Sequence, residues 1–182
     1  EYVKNEVLAK NTECVQEVNV YCGSYLPDWR KDTDFRTNYS ANPDLGGGVH
    51  LDLIHEVDYI YWLFGKPIDQ WKILESQSAL NIKAIDYASY LYTYNGFVAN
   101  VILNYYRPIP KRTLEIVFET FILKVDLLKN TVYKNSDEIV FQSTQQPVET
   151  YKKQLEYFIN SETTFNTFTE ALDVLRMCLN QE

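Results

Sequence analysis

The stretch Gly46-Gly47-Gly48-Val49-His50-Leu51-Asp52-Leu53-Ile54-His55-Glu56-Val57-Asp58-Tyr59-Ile60-Tyr61-Trp62-Leu63-Phe64-Gly65-Lys66-Pro67 reads as one helix with both ends marked. Three glycines open it, Gly65 lies just past its end, and Pro67 follows where a helix cannot continue. Wound at about 100° per residue, Val49, Leu53, Val57, Ile60 and Phe64 fall within roughly 80° of one another, so that stripe is expected to face a core. Beyond Pro67 the apolar period changes from helical to alternating. That change decides the fold class, because it places a run of strands after the helix rather than a further strand–helix repeat.

Working outward, residues 1–12 read as a short helix with Val3, Val7 and Leu8 on a partial apolar face, and residues 14–25 alternate as a strand rich in β-branched side chains. Residues 26–44 have no period and carry Pro27, Pro43 and several Asp and Asn. A loop of that length in a compact domain is usually functional. Strands are expected over residues 71–76, 87–94, 97–106, 114–119, 121–127, 131–133 and 138–141. Asn95-Gly96 is a hairpin signal of the type that wants positive φ at both central residues. Two helices close the chain. The first spans residues 148–160, with Tyr151, Leu155, Phe158 and Ile159 on one face. The second is opened by the capping box Thr167-Phe168-Thr169-Glu170 and carries Leu172, Leu175, Met177 and Leu179. The sum is α+β: a large, mainly antiparallel sheet with helices early and late.

Of the chain's 6 glycines, three sit in the one cluster, and Gly23, Gly65 and Gly96 are isolated. Neither G-x-G-x-x-G nor G-x-x-x-x-G-K-[ST] can be written, so the sequence offers no recognisable nucleotide cradle. A net charge of −8 repels phosphate backbones and argues against nucleic acid. There is no apolar run long enough to span a membrane. Cys14, Cys22 and Cys178 are odd in number and lack a C-x-x-C pair, so they read as reduced thiols of a cytoplasmic protein. The chain starts at Glu1 with no signal peptide, which suits a processed chain or an excised domain.

The chemistry-bearing residues cluster on and before the helix. His50 falls at the edge of the apolar stripe and reads as a packed histidine. Asp52, His55 and Asp58, at i, i+3 and i+6, form a ladder down one flank. A carboxylate one turn away can hold an imidazole in one tautomer, as a general base requires. Spacing alone equally allows a surface histidine beside carboxylates that suit a helix start. The two histidines lie some 140° apart on the helix, with no third strong ligand nearby, so no metal site is expected, although a metal-dependent hydrolase using His50, Asp52 and His55 is the remote third reading. In the loop, Arg30 and Arg36 stand among aromatics. They can clamp a carboxylate or phosphate with Trp29 or Tyr39 stacking on a sugar-like ligand, or pair with the local Asp28, Asp32 and Asp34.

The run from Leu45 to Asp58, ending in Tyr61-Trp62-Leu63-Phe64-Gly65-Lys66-Pro67, resembles the signature helix of the Gfo/Idh/MocA oxidoreductases. The Tyr25-Leu26-Pro27-Asp28-Trp29-Arg30 loop is similar to the branch found with nonulosonic-acid and nucleotide-sugar pathways. The resemblance implies a dihydrodipicolinate-reductase-like C-terminal domain over residues 1–182, with helices packed on one sheet face and the Rossmann domain lying before Glu1. It implies that NAD or NADP is bound by the full-length protein and not by this chain alone. By the resemblance His55 matches the family's proton-accepting histidine and Asp52 is the nearest match to its acid, and a sugar-like small molecule is the substrate. A homo-oligomer through the open sheet face is implied as well. Two departures stand out: the acid lies three residues before the histidine instead of four, and Glu119-Thr120-Phe121 replaces a glycine-containing hairpin. The competing reading is a non-enzymatic module for acidic-sugar binding or dimerisation.

Overall fold

The computed structural model describes residues 1–10, 14–145, 147–160 and 166–179. Eight strands form one sheet: β1 (Val15–Tyr25), β2 (Asp69–Glu75), β3 (Tyr87–Thr93), β4 (Val98–Asn104), β5 (Tyr106–Phe118), β6 (Ile122–Asp126), β7 (Thr131–Lys134) and β8 (Glu138–Gln142). Their order is β2-β3-β4-β1-β5-β6-β7-β8. Every neighbouring pair is antiparallel except β1 and β4, which run parallel.

Alternation separates the two sheet faces. Val18, Val20, Tyr90, Tyr92, Val101, Leu103, Leu114 and Ile116 point to one side and join a single core with Val49, Val57, Ile60, Val174 and Met177. Those last residues come from α1 (Val49–Asp52), α2 (Ile54–Phe64) and α4 (Phe168–Cys178). Helix α2 packs on α4, and α1 sits against β3 and β4. The capping box of α4 is formed in both directions between Thr167 and Glu170. The opposite sheet face carries exposed Trp71, Ile73, Leu91, Val98 and Ile122. Its centre is polar: Asn100 Nδ2 donates to Asn19 Oδ1 at 3.1 Å, and Asn19 Nδ2 to Glu17 Oε1 at 2.7 Å.

Four sequence expectations need correction. The signature helix is two helices, divided at Leu53 (φ −107°, ψ 23°), although Val49, Leu53, Val57 and Ile60 of its predicted stripe are buried and Phe64 is partly buried against the core. The first segment is a six-residue π-helix, Val3–Leu8. At the β3–β4 hairpin only Gly96 has positive φ, at 93°, so the turn is not of the double-positive type. Strand β5 begins at Tyr106, eight residues before the expected start at 114, because Pro108 and Pro110 read as breakers. They are tolerated where the ladder is interrupted: β1 residues Gly23 and Tyr25 pair with Lys111 and Tyr106, so the prolines lie in the excess stretch, where no ladder N–H is needed. Helix α3 (Pro147–Asn160) leaves its predicted apolar face, Tyr151, Leu155, Phe158 and Ile159, exposed.

Candidate functional site

The start of α1, the loop from Leu26 to Leu45 and the C-terminal ends of β1 and β4 converge. Four short 3₁₀ turns give the loop its shape. It is stitched to the sheet by Leu26 N–H donating to the Tyr105 carbonyl at 2.8 Å, and the helix start by Val49 N–H donating to Ile85 at 2.8 Å. Trp29 anchors the loop: its indole N–H donates to Ser24 Oγ at 2.8 Å, and its ring meets Tyr105 edge-on at 5.4 Å between centroids. Tyr105, in turn, donates its hydroxyl to Asp52 Oδ2 at 2.5 Å. Burial, with Asp52 adding to it, pushes the Tyr105 phenol far above its ordinary range. The hydrogen therefore stays on the tyrosine and Asp52 accepts it.

One turn on, His55 is half-exposed, with 47% of its side chain accessible, and its Nε2 lies 3.1 Å from Glu56 Oε1. Glu56 is fully buried at 0%, and the same oxygen accepts from Arg112 Nε at 2.7 Å. A buried carboxylate is tolerable only when paired, and Arg112, reaching across from β5, supplies the pairing. Burial followed by the Glu56 charge pushes the neighbouring Cys22 thiol up to about 12, and burial raises Tyr59 well above its usual value, so neither competes for the proton. Asp58, on the same helix, has its carboxyl raised by burial, with His55 opposing that rise.

The predicted Asp52–His55–Asp58 ladder is thus divided by the break at Leu53: Asp52 serves Tyr105, and the acid contacting His55 is Glu56. In the loop, Arg30 lies over the Tyr39 ring at 5.2 Å. Arg36 stacks on Phe35 at 4.4 Å and approaches Asp34 at 3.9 Å, the local pairing left open by the sequence. Glu56, Arg112 and Tyr105 are the site residues that sequence reasoning missed.

His50 is buried, at 6% exposure, as expected of a packed histidine. Burial lowers its pKa from 6.5, with the Asp52 charge opposing. The folded chain therefore resists a proton that the unfolded chain accepts, and stability contributed by neutral His50 is lost as pH falls below about 6.5 towards the depressed folded value. Urea midpoints at about pH 7.5 and about pH 5.5 should show wild type losing more stability on acidification than His50→Gln. Equal losses would contradict the assignment.

Among the described residues no group of three His, Cys, Asp or Glu side chains is placed to hold a metal. No helix of the described residues is long and apolar enough to cross a membrane. In the glycine run the N–H groups of Gly46, Gly47 and Val49 donate to the Pro43, Asn42 and Ile85 carbonyls.

The GFO/IDH/MocA C-terminal domain family matches residues 15–123, more than half of the chain. The chain belongs to the GFO/IDH/MocA family. No curated protein matches it. Among solved structures, this family member is similar to UDP-N-acetylglucosamine 3-dehydrogenase GnnA from Acidithiobacillus ferrooxidans, at 19% identity and TM-score 0.70 over 97% of this chain and 56% of that one. It is similar to myo-inositol 2-dehydrogenase from Lactobacillus plantarum, at 18% identity and TM-score 0.67 over 97% and 56%. It is also similar to the WlbA dehydrogenase from Bordetella pertussis in complex with NADH and UDP-GlcNAcA, at 16% identity and TM-score 0.65 over 95% and 52%. The GFO/IDH/MocA chain described here spans little more than half the length of these relatives, and its fold is that of their C-terminal domains.

Proposed function

We propose that this chain is the substrate-binding and oligomerisation domain of a NAD(P)-dependent dehydrogenase acting on a sugar or nucleotide sugar. The observation that carries the reading is the half-exposed His55 imidazole, whose Nε2 lies 3.1 Å from the buried Glu56 carboxylate within the stretch that matches the family. The substrates and complexes of the structural relatives, a UDP-N-acetyl sugar, UDP-GlcNAcA with NADH, and myo-inositol, support a hydroxylated ring as substrate. The N–H groups of Gly46 and Gly47 are engaged with Pro43 and Asn42, which supports a site for the cofactor's phosphates elsewhere. In this reading NAD or NADP is bound by a separate dinucleotide-binding domain of the full-length protein.

This chain's own part is then the proton. His55 takes it from the substrate hydroxyl, and Asp52 with Tyr105 orients a neighbouring hydroxyl. Trp29, Arg30 and Tyr39 line the substrate side. Arg36 joins them on releasing Asp34, an exposed contact that costs little to break. The experiment is an assay of NAD(P)H formation by full-length protein across UDP-N-acetyl sugars and polyols. Reduction of the nicotinamide with one of them is expected. No turnover with any, together with binding of an acidic sugar by this chain, would favour the non-enzymatic module.

The exposed apolar residues of the open sheet face support pairing with a second copy. Trp71→Glu is expected to shift the protein to monomers in sedimentation or light scattering; an unchanged mass would remove Trp71 from the interface.

A further inference from the structure

We propose that one end of the sheet face turned away from the helices is a nucleoside-diphosphate site, with Tyr87 and Tyr106 against the base and Arg107 and Lys111 against the phosphates. It deepens the dehydrogenase reading, on which it rests, by choosing a nucleotide sugar over a free polyol. An open cleft of about 540 Å³, within the range of ordinary ligand sites, is lined by Glu75, Gln77, Ser78, Asp86, Tyr87 and Tyr106. The Tyr87 and Tyr106 rings are 19° from parallel, with centroids 6.5 Å apart. Such faces hold a base by stacking. Asp86 is buried and its Oδ2 accepts from the Ser78 N–H and hydroxyl. The cleft is thus aromatic with acids at its far side, and it suits a flat ring that carries N–H donors.

Beside the cleft the charge reverses. Strand pairing sets Glu75, Tyr87, Asn104, Gly23 and Lys111 in one row across β2, β3, β4, β1 and β5. Gly23 leaves room for the buried Asn104 amide, since a Cβ there would lie 2.6 Å from its oxygen. Asn104 Nδ2 donates to the Tyr21 hydroxyl at 2.8 Å, and Arg107 donates to the same oxygen at 3.3 Å. The Arg107 guanidinium lies 5.0 Å and the Lys111 ammonium 4.9 Å from the Tyr21 ring centroid. Among the described residues neither cation has a carboxylate partner, although the chain carries a net charge of −8. Pro108 and Pro110 stand between the two cations and stiffen the stretch that presents them. Burial, followed by Tyr21, Tyr87 and Asp86, raises the Tyr106 phenol, so its ring neighbours both the Tyr21 group and the cleft's acid. Tyr87 and Lys111 are three strand spacings apart, roughly 14 Å. That span asks for a ring joined to a chain of phosphates rather than for a lone anion, and Arg107 supplies the fork that phosphate oxygens match. The same end of the sheet serves the His55 side. Ile85 accepts from the Val49 N–H and Tyr105 donates to Asp52, while the next residues, Asp86 and Tyr106, line the cleft. A nucleotide sugar lying across that edge meets both.

The test is calorimetric titration of the chain with UDP, uridine, inorganic pyrophosphate and NADH. UDP is expected to bind more tightly than uridine or pyrophosphate, because ring and phosphates are held at separate places. Arg107→Ala and Lys111→Ala should each weaken UDP by about 10-fold or more, the usual loss of a charge-assisted contact. Tyr106→Ala should weaken it by about 5-fold or more, through lost stacking. Tyr106 and Lys111 are exposed, so their variants keep the fold, and Lys111→Ala carries the charge test should Arg107→Ala fail to fold. No UDP binding, pyrophosphate bound as tightly as UDP, or UDP affinity unchanged in any folded variant would overturn the proposal. NADH displacing UDP from wild type would overturn it too, by making the site the cofactor's. The outcome is separable from the functional reading. UDP bound here, with no nucleotide sugar turned over by full-length protein, sinks the dehydrogenase and keeps the site, whereas turnover of polyols alone with no UDP bound does the reverse.

Discussion

In full-length enzyme, His55→Asn is expected to lower kcat by about 10²–10⁴-fold, the usual contribution of a positioned general base. Asparagine keeps a polar side chain at the position and cannot take a proton. Proton removal is felt mainly in the transition state, so KM should change little and kcat/KM should fall with kcat. Stability should hardly move: with 47% of the side chain exposed, His55 contributes little packing, and changes at such positions usually stay within about 0.5 kcal/mol. Turnover equal to wild type would remove His55 from the chemistry. Turnover lost together with stability would mean that the substitution had damaged the fold.

Gly47→Ala is expected to be the most damaging small substitution in the chain. An added Cβ would lie 2.0 Å from the Tyr39 carbonyl oxygen, 2.8 Å from that of Ser40 and 2.7 Å from that of Asn42. These are backbone atoms, so no side chain can swing aside. The loop must move as a body, taking buried Ser40 and Ala41 with it and straining the bond from Gly47 N–H to Asn42. A loss of about 3 kcal/mol or more follows, comparable to severe overpacking. For a chain of this size that corresponds to a fall in Tm of roughly 6–12 °C. Gly46→Ala is the control. Gly46 has φ 78° but nothing within 4 Å of its Cβ position, so only the left-handed backbone penalty of about 1–2 kcal/mol applies. If both variants melt together, the close approach at Gly47 is not what the glycine serves.

The fold class was legible because its signals are local. The Val49, Leu53, Val57 and Ile60 stripe needs only the helical period, and the Thr167–Glu170 box needs only four residues. The break at Leu53 was not, since no proline or glycine marks it and Asp52 is engaged by Tyr105, 53 residues away in sequence. For the same reason the ladder drawn along one uninterrupted helix did not anticipate Glu56 at 3.1 Å from His55. Glu56 nevertheless left a trace. Glu56 falls about 20° from Val49 on the helical wheel, at the edge of the apolar stripe. A carboxylate there must find a cation, because such residues are almost never buried unpaired. The sequence could demand the cation but not name it: Arg112 is 56 residues on, and only the register of β1 with β5, Cys22 opposite Arg112, brings it over the helix. Nor could spacing decide between the two uses of the loop arginines, which depend on how four short turns orient Arg30 and Arg36.

The single parallel pairing in the sheet has a consequence for the order of assembly. Strands β2 to β4 form one meander and β5 to β8 another, each joined by short connections. Strand β1 lies between them, and its two neighbours are β4 and β5. During synthesis β1 emerges before the other strands of this sheet, yet none of its ladder bonds can form until Val98 and the residues after it exist. The first strand of the sheet therefore waits for its ladder partners, and the long loop closure it requires makes its seating the slow part of building this sheet.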